Sequence, residues 1–137
     1  MVFYAALDGG AMMKKPKKTI LVVDDMSDAL RLIKAVLEES YSVRLAKSAD
    51  LADSILRNVD VDLVILDVEM PGVSGIEYAR RLKGSPLTWH IPIIFLSVHS
   101  QAEIVASAGQ IDIKGYIKKP ATPELLIERV EAALSRG

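Results

Sequence analysis

The chain has no cysteine, a single tryptophan and no excess of either charge, since 17 Lys and Arg stand against 18 Asp and Glu for a net charge of -1. Without cysteine there are no disulfides, thiolate metal sites or cysteine nucleophiles, and the composition fits a reducing compartment. Balanced charge leaves no broad basic field, so the chain by itself is not expected to bind nucleic acid. No apolar run approaches the ~20 residues that span a bilayer, so no membrane association is expected and a cytoplasmic location is. At 137 residues the chain is the size of one domain, able to bury roughly 70% of the surface its unfolded form exposes.

Residues 1–16 form a leader without periodicity. Its apolar stretch, Val2 to Leu7, precedes Asp8-Gly9-Gly10 rather than following a positive segment, which argues against a signal peptide. The leader is expected to be disordered or a remnant of expression, with Met12 or Met13 as alternative starts, and 17–137 is expected to form the domain. From Thr19 onward, short β-branched runs alternate with helical periodicity. Strands are expected at 19–24, 42–46, 62–67, 91–96 and 115–118. The unbroken Leu63-Val64-Ile65-Leu66 run suits a strand covered on both faces, as parallel sheets require.

Helices are expected between them. Residues 27–39 bring Leu30, Ile33, Val36 and Leu37 into one stripe, and Ser48 caps a helix to 58 with Leu51, Ile55 and Leu56 on one face. Residues 74–83 offer Ile76, Tyr78, Ala79 and Leu82 for burial, while 100–109 is weakly specified by Ala106-Ser107-Ala108-Gly109. Thr122 and Pro123 open a last helix in the order cap, then proline. Five strands alternating with five helices predict an α/β fold with a doubly wound, five-stranded parallel sheet. Trp89 lies in the loop between Pro86 and Pro92 and is expected to pack against a helix edge.

Such sheets bind ligands beyond the carboxyl ends of their strands, where strand order reverses. Asp24 and Asp25 end the first apolar run, Asp67 the third, Ser97 the fourth, and Lys119 follows the fifth before Pro120. A carboxylate at the tip of a buried strand is costly unless a cation meets it, so three brought together ask for a metal. His90 and His99 lack companion ligands at metal spacing, and solvated or capping roles are expected of them.

On these marks the sequence resembles the receiver (CheY-like) domain of the two-component response regulator family, over about Lys17 to Ser135. The marks are Asp24-Asp25, Asp67-Val68-Glu69-Met70-Pro71-Gly72, Ser97, and Tyr116-Ile117-Lys118-Lys119-Pro120, in the family's order and spacing. The resemblance implies that Asp67 takes a phosphoryl group from a histidine kinase or a phosphotransfer protein, forming an aspartyl phosphate. It implies Mg²⁺ as cofactor, held by Asp24, Asp25, Asp67 and the Glu69 main-chain carbonyl. Lys119 and Ser97 would contact the phosphoryl oxygens, Lys119 being preferred to Lys118 because the family places its lysine directly before proline. Ser97 and Tyr116 would form the switch, reshaping the face of fourth helix, fifth strand and fifth helix.

The same resemblance implies a signalling domain rather than an enzyme, phosphorylated slowly by small donors and slow to lose the group. It implies a downstream effector protein or an attached output domain as partner, and a homodimer formed on phosphorylation. Nothing after Gly137 offers an effector domain, so the chain is expected either to stand alone or to come from a longer regulator. Val98 stands where the family usually carries alanine or glycine, and its larger side chain is expected to slow both entry and hydrolysis. Glu69 and His99 flank the phosphoryl path. Each mark also has a plainer reading: a serine at a strand end is ordinarily a turn residue, and a tyrosine there ordinarily packs. Two other functions fit less of the sequence. A phosphohydrolase with an aspartyl nucleophile would carry threonine where Pro71 stands, and a phosphorylation-independent interaction module would have lost an acid or the lysine.

Overall fold

The computed structural model describes residues 16–135; the expected leader, apart from Pro16, lies outside them. Five strands alternate with five helices: β1 (Thr19–Val23), α1 (Ser27–Leu37), β2 (Ser42–Ala46), α2 (Ala49–Asn58), β3 (Leu63–Asp67), α3 (Gly75–Lys83), β4 (Ile93–Ser97), α4 (Gln101–Ala108), β5 (Gly115–Lys118) and α5 (Pro123–Leu134). The strands form one sheet in the order β2-β1-β3-β4-β5, every pair parallel. This is the expected doubly wound sheet, and its strand order reverses between β1 and β3.

Side chains alternate across the strands, so each of the interior strands feeds two cores. Leu21, Val23, Val64, Leu66, Ile93 and Phe95 face α2, α3 and α4. Ile20, Val22, Leu63, Ile65, Ile94 and Leu96 face α1 and α5. Every residue of β3 and β4 is buried, which accounts for their continuous apolar runs. The helices start where their caps place them: the side chains of Ser48, Ser74, Ser100 and Thr122 each accept a backbone N–H three residues on. At Ser100 the Glu103 carboxylate returns the favour, completing a capping box.

Three expectations need correction. β4 begins at Ile93, not Ile91, because Pro92 has no N–H to give and lends only its carbonyl, to Val64. On α2 the face against the sheet is made by Ala49 and Ala52 with Ile55 and Leu56 partly buried, while Leu51 is exposed. Trp89 does not settle on a helix; it is 60% exposed and sits edge-on to His90, at 5.9 Å between ring centroids. Its loop is fixed through backbone carbonyls instead, Lys83 Nζ donating to Trp89 O at 3.1 Å and Ile91 O at 2.9 Å.

α4 is the lightly held element. Only Ile104 and Ala108 of its residues are buried, and its ends are tied by polar contacts. The Arg80 guanidinium donates to the Ala108 carbonyl at one end, and the Ser100 box closes the other.

Candidate acid pocket and phosphoacceptor site

Strand register assembles the pocket. Val23 of β1 sits opposite Leu66 of β3, so Asp24 and Asp67, each one residue further, emerge side by side at the switch point. Asp67 in turn pairs with Leu96, and Ser97 pairs with Lys118, which brings Ser97 and Lys119 to the same rim. Backbone bonds lock these ends together: Val68 N–H donates to Leu96 O at 2.9 Å, and Lys119 N–H donates to Ser97 O at 2.7 Å. The Lys119–Pro120 peptide is cis.

Asp24, Asp67 and Ser97 are buried, and Asp25 and Lys119 are half-buried. Carboxylate oxygens of Asp24, Asp25 and Asp67 all lie within 4.8 Å of one another. Lys119 Nζ stands 3.1 Å from Asp24 Oδ2 and 3.3 Å from Asp67 Oδ1. Asp24 Oδ1 accepts from Met26 N–H at 2.9 Å, and Asp67 Oδ1 from Glu69 N–H at 3.3 Å. The ammonium approaches Asp24 Oδ2 off the line of a hydrogen bond, leaving that buried oxygen without a directed donor.

The charges are unequal. Burial, then the neighbouring Asp24, push the Asp67 carboxyl up to about 6, against the opposing pull of Lys119 and the Glu69 N–H. Burial works against the Lys119 ammonium, but the two carboxylates outweigh it and hold the lysine above its usual range. One ammonium therefore serves two buried acids, with Asp25 beside them. A hard divalent ion with oxygen ligands fits both the orphaned Asp24 oxygen and the raised Asp67 carboxyl.

The remaining expected residues surround this centre. Ser97 Oγ accepts from His99 N–H at 3.0 Å. Tyr116 is half-buried and edge-on to Phe95, with centroids 6.0 Å apart, and burial pushes its hydroxyl up. Lys118, the competitor of Lys119, is exposed and away from the acids. Val98 is exposed on the rim. His99 is engaged by carboxylates, its Nε2 lying 2.6 Å from Glu69 Oε2 and its Nδ1 3.8 Å from Glu103 Oε1. Sequence singled out both Glu69 and His99 but not their contact, which ties the loop after β3 to the start of α4.

Gly75 was not among the expected site residues. A Cβ there would lie 2.0 Å from the Asp67 carbonyl oxygen, so α3 starts hard against the strand end that carries the acid. The one signal was its place: glycine is a poor helix former, yet it opens α3 directly after the Ser74 cap.

Residues 20–131 match the family model described as the response regulator receiver domain. The chain belongs to the response regulator receiver family. As a CheY-like receiver domain it is a signalling unit of two-component systems, and accepting a phosphoryl group is general to the family. Receiver domains generally bind Mg²⁺ at an acidic cluster such as the one found here.

Among its relatives, the phosphate regulon transcriptional regulatory protein PhoB of Pseudomonas aeruginosa is 38% identical over 120 residues, 87% of this chain and 52% of PhoB. A probable cyclic di-GMP phosphodiesterase of Vibrio cholerae is 37% identical over 116 residues, 85% of this chain and 26% of that protein. The receiver thus spans from about a quarter to about half of these relatives. A putative response regulator from Chloroflexus aurantiacus superposes with a TM-score of 0.77 at 34% identity, covering 89% of this chain and all of that one. Among the described residues no helix is long and apolar enough to cross a membrane.

Proposed function

We propose that residues 17–137 act in the cytoplasm as a phosphoacceptor receiver, taking a phosphoryl group onto Asp67 from a histidine kinase or a phosphotransfer protein. The observation that carries this reading is the position of Lys119 Nζ, within 3.3 Å of both Asp24 and Asp67 while Asp67 remains short of positive charge. An Asp67 carboxylate oxygen attacks phosphorus, the phosphorus–nitrogen bond to the donor imidazole breaks, and the nitrogen leaves with the electron pair. No base is needed, since the attacking oxygen carries no proton once Asp67 is ionised. Transfer through a loose transition state calls mainly for positioning and charge neutralisation.

Lys119 supplies part of that charge and the Ser97 hydroxyl donates to a phosphoryl oxygen. Mg²⁺, held by Asp24, Asp25, Asp67 and the Glu69 main-chain carbonyl, would neutralise the rest. Donor docking is supported by an apolar groove of about 410 Å³ beside Lys119, lined by Met26, Ala29, Leu32, Val98 and Pro120. Once Asp67 is phosphorylated, Ser97 is drawn toward the new dianion and Tyr116 follows, changing the face of α4, β5 and α5 that an effector, an output domain or a second phosphorylated copy reads.

Incubation with acetyl phosphate, with and without Mg²⁺, and intact mass measurement test the proposal. One phosphoryl adduct is expected with metal only, and none in Asp67→Asn. Absence of any adduct would mark a phosphorylation-independent interaction module. Rapid turnover of many equivalents without adduct would mark a phosphohydrolase.

A further inference from the structure

The pole of the sheet opposite Asp67 carries a surface that phosphotransfer does not use. Lys18 precedes β1, Asp62 precedes β3, the loop holding Leu87 and Trp89 precedes β4, and Lys114 precedes β5, so all gather at the amino ends of the strands. Leu87 is 80% exposed and Trp89 60%, more than any other large apolar side chain among the described residues. They are displayed on a fixed loop. Trp89 N–H donates to Ser85 O at 2.9 Å, Thr88 Oγ1 to Leu82 O at 2.7 Å, and Lys83 holds the carbonyls of Trp89 and Ile91. Apolar anchors held rigidly lose little freedom when covered, and tryptophan is prominent among residues that dominate interface energies.

Beside the anchors opens a cavity of about 510 Å³ whose wall includes Trp89, Lys18, Lys83, Lys114, Asp62 and Asp112. Its charges are of both signs and nearly balanced. A patch that meets its own copy across a two-fold axis must be self-complementary, each residue facing another of the same surface. A patch of one sign would repel itself; this one offers lysines to aspartates in both directions. Lys114 and the largely exposed Asp112, 3.5 Å apart, can exchange partners across the axis at little cost.

We infer that this face is a homotypic interface, through which two copies associate by burying Leu87 and Trp89 against each other inside a ring of exchanged lysine and aspartate contacts. Its wall runs onto the end of α5 at Ala133 and Leu134, but its place on the far pole leaves the acid pocket open, so association does not require phosphate on Asp67.

Sedimentation velocity of the unphosphorylated chain over a concentration series tests this. A monomer–dimer equilibrium is expected, with the dissociation constant raised about tenfold or more in Trp89→Ser and in Leu87→Ser. Far-UV circular dichroism checks that both variants fold, and quenching of the single tryptophan on association gives a second readout. Lys114→Glu and Asp112→Lys chains should each fail to self-associate, yet pair when mixed. A wild-type chain that stays monomeric throughout overturns the inference. So does a dimer indifferent to Leu87 and Trp89, or one that forms only after acetyl phosphate treatment.

Discussion

Lys119 Nζ bridges Asp24 and Asp67 at 3.1 and 3.3 Å, the only ammonium in contact with these two buried carboxylates among the described residues. Replacing it by methionine keeps the stem and removes the charge. The Lys119→Met chain is expected to lose most Mg²⁺-dependent adduct formation from acetyl phosphate, by about tenfold or more, since fixed positive charge at a transferring phosphoryl group is a large term. Intact mass against time measures it; an unchanged rate would remove Lys119 from the site.

Asp67 titrates at about 6 in the fold against an ordinary 3.8. A raised folded value means the native state binds the proton more tightly than the unfolded chain. The stability this gives is present below about pH 4 and is lost as pH rises through about 6, a swing of up to roughly 3 kcal/mol. Urea unfolding in EDTA should therefore show Asp67→Asn more stable than wild type at neutral pH, with the difference shrinking toward pH 4. Saturating Mg²⁺ should narrow it as well.

Gly75 and Gly72 make a paired test of backbone demands. Alanine at Gly75 places a Cβ 2.0 Å from the Asp67 carbonyl, so the strand end or the helix start must move. A loss of about 2 kcal/mol or more is expected, together with slower adduct formation. Gly72, at φ 79° with open space around it, should lose only about 1 kcal/mol on the same change.

Val98 is 54% exposed and shares the apolar groove with Lys119 and Pro120. Trimming it to alanine should speed both adduct formation and adduct decay several-fold, because donor and water pass the same rim. Mass spectrometry of the forward and decay phases measures the two rates; if neither rises, Val98 is no obstacle.

The acid pocket was legible because each carboxylate ends an apolar run too continuous to be anything but an interior strand, and register does the rest. Ser97 was legible for the same reason, whereas Lys119 follows the half-buried edge strand β5 and was marked by its place directly before Pro120. What escaped depends on approach through space. Gly75 matters through the Asp67 carbonyl eight residues earlier, a contact no local pattern encodes. The face of α2 was misjudged because Leu51 outweighs Ala49 and Ala52 in hydrophobicity, whereas the sheet accepts the small residues that let the helix lie close. Trp89 was misjudged since the hydrogen bonds orienting its loop run through carbonyls, which every residue type possesses.

With α4 seated on the core by Ile104 and Ala108 alone, the molecule has one wall it can rebuild without opening its foundations. Asp24, Asp67 and Ser97 stand at the ends of interior strands that must stay put, while the wall beside them can unlatch at Arg80 or at the Ser100 box. Amide exchange should accordingly be fastest among the helices along 101–108, and under the proposed function a phosphoryl group on Asp67 would be broadcast at the cost of a local rearrangement instead of a global one.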